Sequence, residues 1–264
     1  MEEYIIILFI LAFAILVGST LGFGDSLIFI PLAAILLDIR VAIVLMGFWT
    51  ILLSIFNTIK YRQFFDKLLV KKYITPGIFG VIIGALLLVI APIPIVELAL
   101  GVFIIAFITA KFWESKTKND EKYVECSQLT ETQLNKVPNF ILYPGAFSYG
   151  FIGSLIGTPG PINVIILEKR GHERESFIGN FSLISIIIGS FRLIIYVSYD
   201  LFPMEFIALF LIGIVITFLV TKIGHWLTPR IPKKKFKLLV LLLLTVIGIR
   251  LVINSLLILF DLKI

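Results

Sequence analysis

Residues 18–22 read Gly-Ser-Thr-Leu-Gly, and residues 153–157 read Gly-Ser-Leu-Ile-Gly. The offset, 153 minus 18, is 135 residues. It continues without a gap: Phe56 pairs with Phe191, Asn57 with Arg192, Tyr61 with Tyr196, and the acid Asp38 with Glu173. A register preserved over that distance marks an internal duplication. Both glycine motifs sit inside apolar segments, where they predict a break in a helix. Duplicated hydrophobic chains of this kind are the usual build of secondary transporters, with the site where the repeats meet.

The chain has 264 residues, of which 59% are hydrophobic and 15% charged. That is more apolar and less charged than a soluble domain. Apolar stretches at about 4–23, 26–37, 40–59, 73–91 and 94–113 are followed by a second series at about 138–156, 161–168, 176–198, 203–222 and 238–260. Most approach the ~20 residues that cross a bilayer. Segments such as 238–244 are continuously apolar and do not alternate, which excludes a membrane β-barrel. The expectation is an all-α polytopic membrane protein made of two inverted repeats. Each opens with a Gly/Pro-broken short-helix hairpin followed by about three spanning helices. Residues 1–113 form the first membrane repeat, 114–137 a polar cytoplasmic linker, and 138–264 the second repeat.

The net charge of +6 is no nucleic-acid signal, because Lys and Arg gather in short loops. Lys60, Arg62, Lys67, Lys71 and Lys72 form one cluster. Lys222, Arg230, Lys233, Lys234, Lys235 and Lys237 form another. The positive-inside rule puts loops 60–72 and 222–237 in the cytoplasm, in a multi-pass protein of the cytoplasmic membrane. Counting crossings outward then puts Asp38–Arg40, 91–94 and 199–201 outside, and 169–172 inside. Equivalent loops of the two halves fall on opposite sides, which is what inverted repeats require. The start, Met-Glu-Glu-Tyr, lacks a basic n-region, so the first apolar segment is expected to stay as a membrane helix. A single cysteine, Cys126, gives neither an intrachain disulfide nor a metal site. No cofactor or metal is expected.

Two motifs could carry chemistry. Gly22-Phe23-Gly24-Asp25-Ser26 has its counterpart in Gly157-Thr158-Pro159-Gly160-Pro161. Asp25, Ser26 and Thr158 are helix-capping residue types, and Pro is tolerated in a first helical turn. Each motif reads as one helix ending and another beginning inside the apolar zone. Free N–H groups at such a start favour an anion. The plain reading is that small residues let helices pack closely, and for one copy alone it is the stronger reading. Duplication with cap residues tips the balance toward a site.

The chain resembles the sulfite exporter TauE/SafE family, also called TSUP transporters. That family has two homologous halves, each opening with a glycine-rich motif and a nearby proline. Here these are 22–26 with Pro31, and 157–161. The run Pro76-Gly77-Ile78-Phe79-Gly80-Val81-Ile82-Ile83-Gly84 is similar as well. Asp25 and Ser26 stand where the family usually has glycine, and the second copy carries Pro159 and Pro161. The resemblance covers nearly the whole chain except the linker. It implies transport of small anions such as sulfite or sulfonates, without an ATPase domain.

Arg192 lies in the apolar run 186–197. An intramembrane charge is costly unless paired or hydrated, and a guanidinium suits a bidentate oxyanion. Its position toward the outer end also allows it to snorkel beside Tyr196, Tyr199 and Asp200. The ligand reading is narrowly preferred. Asn57, its repeat equivalent, is expected to hydrogen-bond a neighbouring helix. Asp25 is expected to cap a helix first, and to carry a coupling proton as the second reading. Ser26, Thr158, Asn163, Asn180 and Thr20 are polar wall candidates. His172 and His225, in basic loops, read as solvated.

The expected function is a secondary transporter moving a small anion by alternating access at the repeat interface. The binding residues are Gly22, Gly24, Ser26, Gly157, Thr158, Gly160, Asn163 and Arg192, with Asp25 for coupling to a proton or sodium. Its partners are the anion and the lipid bilayer. An anion channel and an assembly factor remain as alternatives. So does an intramembrane aspartyl protease, because Gly22-Phe23-Gly24-Asp25 is formally Gly-x-Gly-Asp and Tyr199-Asp200 resembles a partner motif. The order of those motifs is reversed, and that chemistry needs two carboxylates sharing a proton.

Overall fold

A computed structural model describes residues 2–117, 137–172, 174–227 and 233–259. Positions 118–136 of the expected linker therefore lie outside the described residues, Cys126 among them, as do positions 228–232. All regular structure among the described residues is helical. The first half contains α1 (Glu2–Leu21), α2 (Asp25–Ala33), α3 (Ile39–Tyr61), α4 (Lys67–Ile90) and α5 (Ile93–Thr117). The second contains α6 (Asn139–Leu155), α7 (Gly160–Arg170), α8 (Arg174–Ser198), α9 (Ile207–Leu227) and α10 (Lys233–Leu259). Short 3-10 turns precede α4 and α9. Six of these segments are long and apolar enough to cross a membrane. This is an integral multi-pass membrane protein.

Local sequence explains the boundaries. Gly22 and Gly24 take φ of 84° and 97°, and Gly157 takes 75°. Such left-handed backbone is costly for any residue with a Cβ, so these glycines end α1 and α6. At about 1.5 Å per residue, the nine residues of α2 and eleven of α7 reach only about 13 and 16 Å, half a bilayer. Asp38 caps α3 through Arg40 N at 2.7 Å, and Asp66 caps α4 through Leu69 N at 3.0 Å. Gly171, with φ of 91°, closes α7 just after the basic pair Lys169 and Arg170, which complements the helix dipole.

Four helix pairs make most of the packing: α1 with α9, α4 with α6, α3 with α8, and α5 with α10. The α4–α6 pair is the closest approach. A Cβ on Gly80 or Gly84 would collide with backbone of Phe147 or Phe151, and one on Gly150 with Gly77. The small residues of the run 76–84 are what let the two backbones approach so closely. Two apolar cores result. One joins α1, α2, α3, α5 and α10 with the ends of α4 and α8 and the start of α9, and the other joins α4, α6, α7 and α8 with the end of α3; Phe23 packs against both.

Contacts sort the helix ends into two groups. Tyr4 of α1 meets Phe206 before α9, and Arg40 of α3 donates to the Ala91 carbonyl between α4 and α5. At the other end Lys60 donates to His225 O at 3.3 Å, Lys72 to Asn139 Oδ1 at 3.3 Å, and Asp66 meets Arg170 at 2.7 Å. Thus α1 begins beside Phe206, whereas α6 begins beside Lys72 of α4.

Candidate functional site

The two helix breaks and the α3–α8 pair line one partly open cavity of about 400 Å³, open solvent included. Asp25 and Ser26 enter it from the first turn of α2. Gly157, Pro159 and Gly160 enter it from the turn that starts α7. Thr50 comes from α3, Gly153, Ser154 and Tyr149 from α6, and Ser185 and Arg192 from α8. Neither helix start carries a side-chain cap: the capping positions are Gly24 and Pro159. Asp25 is the first residue of α2 rather than its N-cap, which corrects the capping expectation. The chain needs φ of 97° at that position, and glycine takes it most cheaply.

Arg192 is buried, at 6% exposure. It turns inward rather than toward the headgroup level. Its Nη1 donates to Gly153 O at 2.7 Å, while Nε has no partner among the described residues. Glycines make the room: a Cβ on Gly47 of α3 would lie 3.4 Å from Nη2, and one on Gly189 4.0 Å from it. Tyr196, one turn on, donates to Ser154 O at 2.5 Å and is fully buried, so it is no surface anchor. Asp25, 4% exposed, accepts from Thr50 Oγ1 at 2.8 Å. The cavity therefore holds one cation, one acid, several hydroxyls and two helix starts.

Of the residues singled out from the sequence, Asp25, Ser26, Gly157, Gly160 and Arg192 share this lining. Gly22 and Gly24 form the turn below it; a Cβ on Gly22 would meet Ile178 at 2.8 Å. Thr158 and Asn163 are fully buried outside the lining, and their side-chain polar atoms have no partner among the described residues. Thr20 bonds back to Leu16 O and Val17 O. Asn180 donates to Phe64 O at 2.8 Å and accepts from Asp66 N at 2.7 Å, so it belongs to a different cluster. Asn57 does pair across helices, with His225 Nε2 at 2.6 Å.

Thr50, Tyr149 and Ser185 escaped the sequence reading. A signal was available for two of them: Thr50 and Ser185 are related by the same offset of 135 residues as the glycine motifs.

A second polar cluster lies where the connection 62–66 meets the end of α7. Asp66 accepts from Arg170 Nε at 2.7 Å, and His172 Nε2 stands 3.4 Å from the same oxygen. His172 Nδ1 is 2.7 Å from Ser176 Oγ. His172 is 3% exposed, which corrects its reading as a solvated loop residue; the loop folds against the start of α8. His225 is half-buried for a similar reason, its ring edge-on to Tyr61. Burial alone would raise the pKa of Asp66. His172 and Arg170, with Leu69 N–H, outweigh it and hold the carboxyl well below the usual carboxylate range.

The family model described as sulfite exporter TauE/SafE matches residues 7–251. The chain belongs to that family. The comparisons with curated proteins and with solved structures give no match.

Proposed function

We propose that this member of the TauE/SafE family is a secondary transporter. It moves a small sulfur oxyanion, such as sulfite or a sulfonate, across the cytoplasmic membrane. The cavity between the two helix breaks is its binding site. One observation carries the reading: the Arg192 guanidinium is buried in that cavity with a single backbone carbonyl as its hydrogen-bonded partner among the described residues. A buried cation is expensive unless something pairs with it. The uncapped start of α7 adds backbone N–H groups and a favourable dipole beside the same space, while at the start of α2 the Asp25 carboxylate already draws on the N–H groups of Asp25 and Ser26. An oxyanion supplies what Arg192 and the start of α7 lack. Thr50, Ser154, Ser185 and Tyr149 offer hydroxyls to its remaining oxygens.

Alternating access between two inverted halves is supported by the packing. Exchanging each helix with its counterpart five positions on converts the α1–α9 pair into α6–α4, and maps α3–α8 and α5–α10 onto themselves. The opposite starting ends of α1 and α6 agree with an axis in the membrane plane. With the clusters 60–72 and 222–237 cytoplasmic, the Asp66–Arg170 end faces inward.

The protease alternative is disfavoured, because Asp200 is exposed in the turn after α8 while Asp25 is buried in the cavity. The test is counterflow in proteoliposomes across sulfite, sulfate, thiosulfate and taurine-like sulfonates. Exchange of at least one, abolished in Arg192→Ala at normal protein level, is the expected result. Flux that is not countertransport would turn the reading to a channel, and no flux with any of them would overturn it.

A further inference from the structure

Arg192 and Asp25 are the cavity's opposite charges, brought together from α8 and α2. The charged and titratable groups that act on Asp25 among the described residues are Arg192 and, from α6, Tyr149. The other side chain on its carboxylate is Thr50, a neutral hydroxyl from α3. Empty, with both side chains ionised, the cavity is neutral. Adding a monovalent anion to Arg192 with Asp25 still ionised would leave one uncompensated negative charge in a buried space, where charge interactions are strong. If Asp25 takes up a proton, the loaded cavity is neutral again.

Resting on the transport reading above, we infer that Asp25 is the proton carrier: one proton enters its carboxylate for each monovalent anion that binds Arg192, and the two are released together. The proton comes from solvent on the loading side and returns to solvent on the other, so nothing else is consumed. Thr50 can serve both states. Its hydroxyl donates to the carboxylate, and can rotate to accept from the carboxylic acid. The repeat asymmetry fits this division. Position 25 is an acid where its mate, 160, is glycine, and position 192 is arginine where its mate, 57, is asparagine. Each half supplies one of the two charges.

The test uses purified full-length protein in proteoliposomes, with radiolabelled sulfite outside and a pH-sensitive dye inside. Wild type, Asp25→Asn and Asp25→Glu are compared under an inward proton gradient and under an imposed membrane potential. Sulfite's own titration is common to all three, so it cancels in the comparison. Wild-type uptake should rise with the proton gradient, and each sulfite should carry one more proton inward than it does through Asp25→Asn. The Asn variant, locked in the neutral state, should still exchange sulfite at a reduced rate. Its equilibrium accumulation of sulfite should fall below wild type by about tenfold for each pH unit imposed, the worth of one proton, and it should gain dependence on membrane potential. Asp25→Glu should recover the gradient response.

Gradient-driven uptake that survives in Asp25→Asn would overturn the inference. Loss of exchange in both variants, with each still monodisperse, would also overturn it, because the residue would then serve binding or folding. Wild type that exchanges sulfite without responding to the gradient would overturn this inference alone. Wild type that exchanges none of the anions would overturn the transport reading together with it.

Discussion

Among its described residues the second half of the chain buries two arginines, and they are treated in opposite ways. Arg170, at the end of α7, meets the carboxylate of Asp66 at 2.7 Å, in a cluster completed by His172, Ser176 and Asn180. Asp66 itself caps α4. Arg192, in α8, has a backbone carbonyl at 2.7 Å and an unpartnered Nε, in a cavity whose acid is hydrogen-bonded to Thr50. A buried charge with its counter-ion in place is a fastener, here joining the two halves of the chain. A buried charge with donors left over has room for a ligand. The two arginines should therefore separate by experiment, one governing stability and the other transport.

The largest expected effect is on the fastener. Asp66→Ala removes the buried carboxylate that meets Arg170 and His172 and the cap of α4, and should cost about 3–5 kcal/mol of stability, read as unfolding of the purified protein in detergent. A variant that unfolds together with wild type would break the comparison. The pH dependence has a definite sign. Asp66 has a lowered pKa in the folded protein, so its contribution is complete above the ordinary carboxylate pKa of about 4 and disappears as the pH falls through the lower folded value. Wild type should lose that stability only in strong acid, and the difference from Asp66→Ala should shrink there.

Gly157→Ala comes next. Its φ of 75° opposes any side chain, and the new Cβ would run into Ile30 and lie 3.2 Å from Ile43, both in the first half. Strain of about 1–2 kcal/mol plus overpacking of about 1–3 kcal/mol should reduce the yield of folded protein sharply. Gly24→Ala is the control: it has the same kind of backbone strain, but its Cβ would meet only Val17 at 3.5 Å. Equal losses would show that backbone conformation alone matters at the two breaks.

Arg192→Lys keeps the charge and removes the fork. Sulfite transport should fall about tenfold, about 1.4 kcal/mol, while the unfolding temperature stays close to wild type. Wild-type kinetics at a normal protein level would remove Arg192 from the mechanism.

The smallest effect expected is at Gly47→Ala, whose Cβ would lie 3.1 Å from Leu193 and 3.4 Å from Arg192 Nη2. A shift of a few tenths of an ångström in the guanidinium should weaken sulfite affinity several-fold and leave the fold intact, about 1 kcal/mol or less. An unchanged affinity would mean that Arg192 has more freedom than its packing suggests.

Much of the architecture was readable in the order of residues. A bilayer demands apolar segments of set length, so ten such stretches stood out, and the helices follow them closely. The glycines at 22, 24 and 157 broke helices where they were expected to, because left-handed backbone leaves few other residue types. α5 continues to Thr117, past the last apolar residue of its stretch, as polar residues suit a helix that has left the apolar zone. Capping was misjudged at Asp25, because the glycine before it took the cap position.

The side that each helix turns inward was decided only by tertiary structure. In a soluble helix the apolar stripe marks the core. In a membrane helix the lipid face and the core face are both apolar, so hydropathy does not tell them apart. Arg192 could be read as reaching outward or inward until α3 and its Gly47 stood opposite it. His172 read as solvated until the connection 62–66 closed over it with Asp66. Thr50 and Ser185 were two small polar residues among many until the crossing of α3 and α8 put both on one cavity. The duplication, the helix breaks and the apolar lengths are properties of a single strand of residues. A site built from six helices and two halves exists only once they are packed.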